Sequence, residues 1–171
     1  MKVFKFGGAS VKDAAGVKNL SSIVHQQHGQ LIVVVSAMGK TTNLLETLCN
    51  AYFHRDSKVP AIMKELKDFH LNIVTSLFPL NAPVYKHLEE LFTNLENILA
   101  SESSLCYDYE YDRIICFGEL ISTTIISDYM EMEGIENQFI DIRKFLKTDQ
   151  NYRNANIDLE LSEQLCKEAF D

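Results

Sequence analysis

The stretch KVFKFGGASV, residues 2–11, joins a short β-prone segment to a pair of adjacent glycines. Residues 2–6 carry three apolar side chains and end at Gly7, which predicts a buried strand. A glycine pair after a strand forms either a plain turn or a backbone cradle for phosphate, with Lys5 as its counter-charge. The residues alone leave both interpretations open.

The next thirty residues predict a βαβ unit. After Gly8, apolar residues at helical spacing predict a helix that runs to about His28 and is stopped by Gly29. QLIVVVSAMG, residues 30–39, is apolar on both faces, as in a central parallel strand covered by helices. Strand, helix and strand in this order predict a right-handed crossover.

Helices dominate the rest of the chain. Helical periodicity predicts helices over residues 41–53, 61–78, 84–100, 111–134 and 161–170. The first should be capped by its threonines and Asn43, and Gly134 should end the fourth. NQFIDI, residues 137–142, predicts a third strand, and a polar connection follows it over residues 143–158.

The order of these elements predicts an α/β fold with a mostly parallel sheet and helices on both faces. Residues 41–110 form a helical insertion in that order, because no strand interrupts them. Three or four strands are few for a doubly wound sheet. We therefore expect the chain to be part of something longer.

Composition excludes several classes of function. The 171 residues have a net charge of −8, which argues against a nucleic-acid-binding surface. Basic residues form no run, and the longest aliphatic run, residues 31–35, is too short to span a bilayer, so we expect no membrane partner. None of the four cysteines forms a C-x-x-C pair, which predicts buried thiols in a reducing cytoplasm. The five histidines lack metal-ligand spacing, which predicts that there is no metal site. The start MKVFKFGG lacks the apolar region of a signal peptide.

Two common nucleotide-binding motifs are absent. The glycines of KFGG are adjacent and no third glycine follows, so the dinucleotide fingerprint G-x-G-x-x-G is not formed. Residues 39–41, GKT, match the end of a P-loop. Val34 stands where that motif requires its first glycine, so a P-loop is excluded.

Three charged residues occupy apolar contexts in which a partner is expected. Lys5 lies in an apolar strand, where a lysine is unusual unless it meets an anion. Glu119 lies inside an apolar helix, and Arg143 follows the third predicted strand, where it can clamp a carboxylate. A solvated lysine, a satisfied helix-end glutamate and a surface arginine are the structural alternatives.

Four stretches together resemble the catalytic domain of the aspartokinases, within the amino-acid kinase family. They are KFGGASV (5–11), VVVSAMGKTTNLL (33–45), FGELIST (117–123) and FIDIRKFLKTDQNYRNANID (139–158). Aspartokinases usually open with K-F-G-G-[TS]-S-V, and here Ala9 takes the variable position. The resemblance extends from residue 1 to about residue 160 and is least specific in the helical stretch.

The resemblance implies a three-layer αβα sandwich, of which residues 1–171 form the N-terminal, amino-acid-substrate part. It implies phosphorylation of the β-carboxylate of L-aspartate by ATP with Mg²⁺, the first step of lysine, threonine and methionine biosynthesis. Relatives continue into a second half that holds the adenine pocket. We therefore expect this truncated chain alone to be inactive and the full-length protein to be a homo-oligomer.

The resemblance also implies roles for single residues. The phosphate contacts would be made by Lys5, Phe6, Gly7, Gly8 and Ser10. Lys5 would neutralise the transferring phosphoryl group, and Asp149 would help to orient that lysine. The amino acid would be bound by the hydroxyls of Ser36 and Thr42, by Glu119 at its ammonium and by Arg143 at its α-carboxylate.

Two alternatives stay open. One is a kinase with another substrate, such as glutamate, acetylglutamate or a nucleotide, although Glu119 and Arg143 favour an amino acid with a free ammonium. The other is a non-catalytic module derived from a kinase. The complete set of candidate residues argues against the second alternative.

Overall fold

The computed structural model describes residues 1–170 and contains the predicted βαβ unit. Strands β1 (Lys2–Phe6) and β2 (Leu31–Val35) pair in parallel, with Lys2 opposite Leu31 and Phe6 opposite Val35. Helix α1 (Ala14–His25) connects them. The prediction of an α/β fold with a parallel sheet is thereby confirmed.

Five helices lie between β2 and the polar connection that begins at residue 143. They are α2 (Thr41–Phe53), α3 (Val59–Leu77), α4 (Val84–Ala100), α5 (Tyr107–Ile115) and α6 (Phe117–Met132). Helix α6 is buried around most of its circumference, as expected for a central helix, and it packs against α1, α2, α4 and β2. Within the described residues, no helix combines the length and apolar character needed to cross a membrane.

Two glycines have left-handed backbone conformation, and Gly134 ends its helix as predicted. The prediction that Gly29 stops α1 is wrong, because α1 already ends at His25 with Gln26 as its C-cap. Gly29 has φ 83° between α1 and β2, and Gly134 has φ 78° after the last residues of α6. The N–H of Ile135 donates to the carbonyl of Met130 at 2.8 Å, which satisfies one of the free carbonyls at the end of α6. Glycine adopts this backbone conformation without a Cβ clash.

The predicted single helix over residues 111–134 is wrong. It is divided at Cys116, where α5 ends and α6 begins. Cys116 itself has nearly helical dihedral angles, φ −58° and ψ −19°. The interruption therefore hardly disturbs the apolar period, which is why the sequence pattern did not reveal it.

The third predicted strand, residues 137–142, is also wrong. Residues 137–141 have no regular structure, and Ile142–Lys144 form a single 3₁₀ turn. A groove of about 930 Å³ is lined by β2 on one side and by residues 135–143 on the other. A β-prone segment becomes a strand only when a sheet edge pairs with it, and no such pairing forms here.

The start of α2 differs from its predicted cap. The hydroxyl of Thr41 donates to the carbonyl of Met38 at 2.6 Å, and the N-cap residue is Lys40, whose side chain makes no capping bond. In the polar connection, Thr148 and Ile157 form an isolated antiparallel bridge before α7 (Leu159–Phe170).

One face of the sheet is open. Phe6 and Val35 pack against the helical core, whereas Val3 and Val34 on the opposite face are 61% and 45% exposed. Lys5 shares this open face and is exposed as well. The expectation that β1 is a buried strand is thus wrong, because the helices described here leave this face uncovered.

Candidate functional site

The candidate site lies at the carboxyl ends of β1 and β2. Two turns meet there, the β1–α1 turn (residues 7–13) and the β2–α2 turn (residues 36–40). The N–H of Gly39 donates to the carbonyl of Gly8 at 3.0 Å. A Cβ added to Gly8 would lie 2.5 Å from the carbonyl oxygen of Ala37, so the two backbones pack directly and exclude any side chain. Ligands of open α/β sheets bind at this edge.

Lys5 reaches the β1–α1 turn with its ammonium group. A Cβ built on Gly7 would lie 3.7 Å from the Nζ of Lys5, which places the ammonium beside the backbone of the first glycine. This ammonium forms no ion pair with another described residue. A positive charge beside a glycine turn, where no side chain covers the backbone, suits an anionic ligand.

Glu119 connects α6 to the β2–α2 turn. Its Oε1 accepts a hydrogen bond from the N–H of Ala37 at 3.2 Å. The preceding residue, Gly118, permits this approach, because a Cβ there would lie 2.9 Å from the Cβ of Ala37. One turn further along α6, the hydroxyl of Ser122 donates to the carbonyl of Ser36 at 2.8 Å. In the motif FGELIST, the close packing of Gly118 on Ala37 therefore places the Glu119 carboxylate at the β2–α2 turn.

The two predicted substrate hydroxyls flank the same turn. Ser36 begins the β2–α2 turn, and Thr42 lies in the first turn of α2, with both residues half-buried. Neither side-chain hydroxyl makes a hydrogen bond with another residue of the described chain, so both are available to a ligand. The N–H of Ser36 donates to the carbonyl of Phe6 at 3.1 Å, which ties this residue to β1.

Arg143 is held by a carboxylate that the sequence analysis did not single out. Its Nε and Nη2 donate to the two carboxylate oxygens of Asp141 at 2.9 and 2.7 Å, and its Nη1 donates to the Sγ of Cys116 at 3.3 Å. The hydrogen bonds from Arg143 lower the pKa of Asp141, while burial raises the pKa of the Cys116 thiol. The D-x-R spacing of Asp141 and Arg143 was a sequence signal for their contact. No feature of the neighbouring sequence indicated the contact between Arg143 and Cys116.

Arg143 and Glu119 border one groove. Both residues line the space of about 930 Å³ beside β2, together with Asp141 and Cys116. The guanidinium is half exposed, with 52% of the side chain accessible, and pairing with Asp141 raises its pKa. The Glu119 carboxylate and the part of the Arg143 guanidinium that Asp141 leaves free thus face the same groove, where they can complement the two charges of an amino-acid zwitterion.

Asp149 is occupied within its own loop. Its carboxylate accepts hydrogen bonds from the N–H of Asn151 at 3.0 Å and from the side-chain amide of Asn156 at 2.8 Å. These bonds, led by that from the Asn156 side chain, lower the pKa of Asp149. Within the described residues, no hydrogen bond or ion pair joins Asp149 to Lys5. The predicted role of Asp149 in orienting that lysine therefore stays a prediction.

Comparison with known proteins identifies the family. The amino acid kinase family profile matches residues 1–171. The chain is 31% identical over 161 residues to aspartokinase 2, chloroplastic, of Arabidopsis thaliana, covering 91% of this chain and 29% of that protein. It is 28% identical over 167 residues to lysine-sensitive aspartokinase 3 of Escherichia coli (strain K12), covering 96% and 36%.

Solved structures agree in fold. The crystal structure of E. coli aspartokinase III in complex with lysine and aspartate superposes with a TM-score of 0.86 at 23% identity, over 98% of this chain and 37% of that one. Clostridium acetobutylicum aspartate kinase gives a TM-score of 0.74 at 25% identity, over 99% and 36%. The chain spans about a third of the length of the curated relatives it matches. Because the family profile covers residues 1–171, the whole length of the chain, the chain belongs to the amino acid kinase family.

Proposed function

We propose that this chain is the amino-acid-substrate part of an aspartate kinase. The observation that carries the proposal is that Glu119, whose Oε1 accepts from the Ala37 N–H at 3.2 Å, and Arg143 line the same groove. The names of the relatives from Arabidopsis and E. coli support the same reaction. The proposed product is 4-phospho-L-aspartate.

Phosphoryl transfer to a carboxylate requires positioning and charge neutralisation more than acid–base chemistry. The β-carboxylate of aspartate is already ionised and attacks the γ-phosphorus of ATP. A new P–O bond forms, the bond to the β,γ-bridging oxygen breaks, and ADP leaves with that electron pair. Lys5, the backbone N–H groups after Phe6 at Gly7 and Gly8, and the hydroxyl of Ser10 stabilise the charge on the transferring group.

The amino acid is oriented by groups of opposite charge. Glu119 keeps one oxygen on the Ala37 N–H and offers the other to the substrate ammonium. Arg143 offers the part of its guanidinium that Asp141 does not engage to the α-carboxylate. The hydroxyls of Ser36 and Thr42 complete the set and hold the substrate near the phosphate turn.

The nucleotide brings the metal ion in this proposal. Among the described residues, no cluster of three or more His, Cys, Asp or Glu side chains can hold a metal ion. Mg²⁺ would be supplied with the ATP phosphates, whose negative charge it would offset when bound. The same proposal has four further parts. They are an adenine pocket in a following half-domain, a cytoplasmic location, a homo-oligomeric assembly and a helical insertion over residues 41–110.

The reaction is tested by trapping the acyl phosphate with hydroxylamine. The native gene product is incubated with MgATP and either L-aspartate or L-glutamate, and hydroxamate is measured. We expect hydroxamate from aspartate only. Product from glutamate would indicate a kinase of another amino acid, and no product from either substrate would indicate a non-catalytic module.

The role of Lys5 is tested by Lys5→Ala. We expect kcat to fall by about 10²- to 10³-fold, because the charge beside the transferring phosphoryl group is lost. Lys2→Ala is the matched control, since Lys2 is another exposed lysine of β1 and bonds to Gln27 at the far end of the strand. Retained turnover in Lys5→Ala, with the fold intact by circular dichroism, would exclude the phosphate role.

A further inference from the structure

Helix α3 also contacts the β2–α2 turn. Gly39 has φ 55°, and a Cβ built on it would lie 3.4 Å from the ring atom Cζ of Phe69 and 3.6 Å from the Cβ of Lys12. The Phe69 ring therefore packs against the bare Cα of a glycine in left-handed conformation. Such a backbone conformation persists only where its surroundings hold it.

The neighbouring residue on α3 makes a polar contact to the same region. His70 is 0% exposed, and its Nδ1 lies 2.8 Å from the carbonyl oxygen of Leu66. Because a carbonyl only accepts, Nδ1 carries the hydrogen and Nε2 is left as an acceptor. The Thr41 hydroxyl has a single hydrogen, which it donates to the carbonyl oxygen of Met38 at 2.6 Å, so Nε2 at 3.3 Å accepts only a weak share of the same hydrogen. One hydroxyl thus connects α3 to the turn.

The turn is held at three places. Glu119 binds the N–H of Ala37, and Gly8 binds the N–H of Gly39. Both of these contacts come from elements that carry candidate site residues. The third support, Phe69 and His70, comes from α3, to which no site residue was assigned.

We propose that Phe69 and His70 are positioning residues that fix the β2–α2 turn and thereby orient the hydroxyls of Ser36 and Thr42 toward the amino-acid substrate. The proposal rests on the proposed kinase function and assigns helix α3 a part in substrate affinity. It predicts that loss of these contacts changes the KM for the amino acid without changing the KM for the nucleotide.

The test compares steady-state kinetics of the native gene product with those of three variants. His70→Phe keeps an aromatic ring but removes both nitrogens, and His70→Gln restores an acceptor. Ile73→Val is a mild truncation of the core in the same helix, one turn away. We expect His70→Phe to raise the KM for L-aspartate about threefold, the effect of losing a weak buried hydrogen bond, with the KM for MgATP unchanged. His70→Gln should recover most of the loss.

Thr41→Val and the double variant with His70→Phe complete the kinetic set. Because the two side chains share one contact, the double variant should be no worse than the more severe single variant. Equal changes in both KM values, or the same change in Ile73→Val, would overturn the positioning role. So would an unchanged KM for aspartate in His70→Phe.

Amide hydrogen exchange separates this proposal from the proposed function. The N–H of Gly39 donates to Gly8 in the β1–α1 turn, and the N–H of Thr41 donates to Met38, so both amides report opening of the β2–α2 turn. We expect faster exchange at these two amides in His70→Phe and not in Ile73→Val. That pattern in a protein that phosphorylates no aspartate would support the fixed turn while refuting the kinase assignment. Unchanged exchange would overturn the proposal for any substrate.

Discussion

The imidazole of His70 is fully buried in α3 between the Leu66 carbonyl and the Thr41 hydroxyl. Burial lowers its pKa to about 4, from an ordinary value of 6.5. Between these two pH values the unfolded chain binds a proton that the folded chain does not bind. The free energy of unfolding therefore falls as the pH drops from 6.5 toward 4, and is not affected by this residue above that window.

This linkage predicts the pH dependence of stability. One proton over that window lowers the free energy of unfolding by about 3 kcal/mol. His70→Gln removes the titration, so the stability gap, taken as the free energy of unfolding of the native sequence minus that of the variant, should fall by that amount from pH 7 to pH 4. Urea unfolding at a series of pH values measures the gap. The exposed His54→Gln should follow the native curve, and parallel curves for His70→Gln would contradict the prediction.

At the scale of elements, two glycines of one motif have different tasks. A Cβ on Gly8 would lie 2.5 Å from the backbone oxygen of Ala37, whereas a Cβ on Gly7 would meet only the flexible end of Lys5 at 3.7 Å. Gly8 thus permits the contact between two turns. Gly7 leaves room above the backbone beside the ammonium.

We therefore expect Gly8→Ala and Gly7→Ala to differ in stability. Gly8→Ala should cost about 1–3 kcal/mol, because backbone atoms of two elements must move apart. Gly7→Ala should cost less than about 1 kcal/mol and serves as the matched control. Midpoints of urea unfolding compare the two. Equal losses would show that the packing of the β1–α1 turn on the β2–α2 turn does not depend on Gly8.

The elements differ in how well their sequences predicted them. The bounds of α2 and α4 agree with the periodicity, because each helix buries one regular apolar face. Residues 137–142 have an equally clear strand pattern and form no strand. Helical hydrogen bonds close within a segment, whereas a strand depends on a partner that its own residues do not specify.

At the scale of the whole molecule, the parallel sheet has one uncovered face. Val3 and Val34 are 61% and 45% exposed there, on a sheet of two strands within residues 1–170. Exposed apolar sheet surface with unpaired edges favours association. We expect the chain to self-associate as its concentration rises.

Sedimentation velocity at several concentrations tests the expectation. Val3→Lys places a charge on the open face and should shift the chain toward the monomer. Leu80→Lys is the matched control, because Leu80 is 85% exposed in the connection between α3 and α4. A monomer at every concentration, or equal effects of both variants, would count against association through the sheet face.

The sequence by itself determined the βαβ unit, most helices, the family resemblance and the identity of the candidate charges at Lys5, Glu119 and Arg143. These follow from local periodicity and from motifs whose spacing lies within one segment. Only the tertiary structure decided that Glu119 accepts from Ala37, that Arg143 is engaged by Asp141 and Cys116, and that α3 reaches the β2–α2 turn. Such contacts join residues far apart in the chain, and their geometry depends on how whole elements pack.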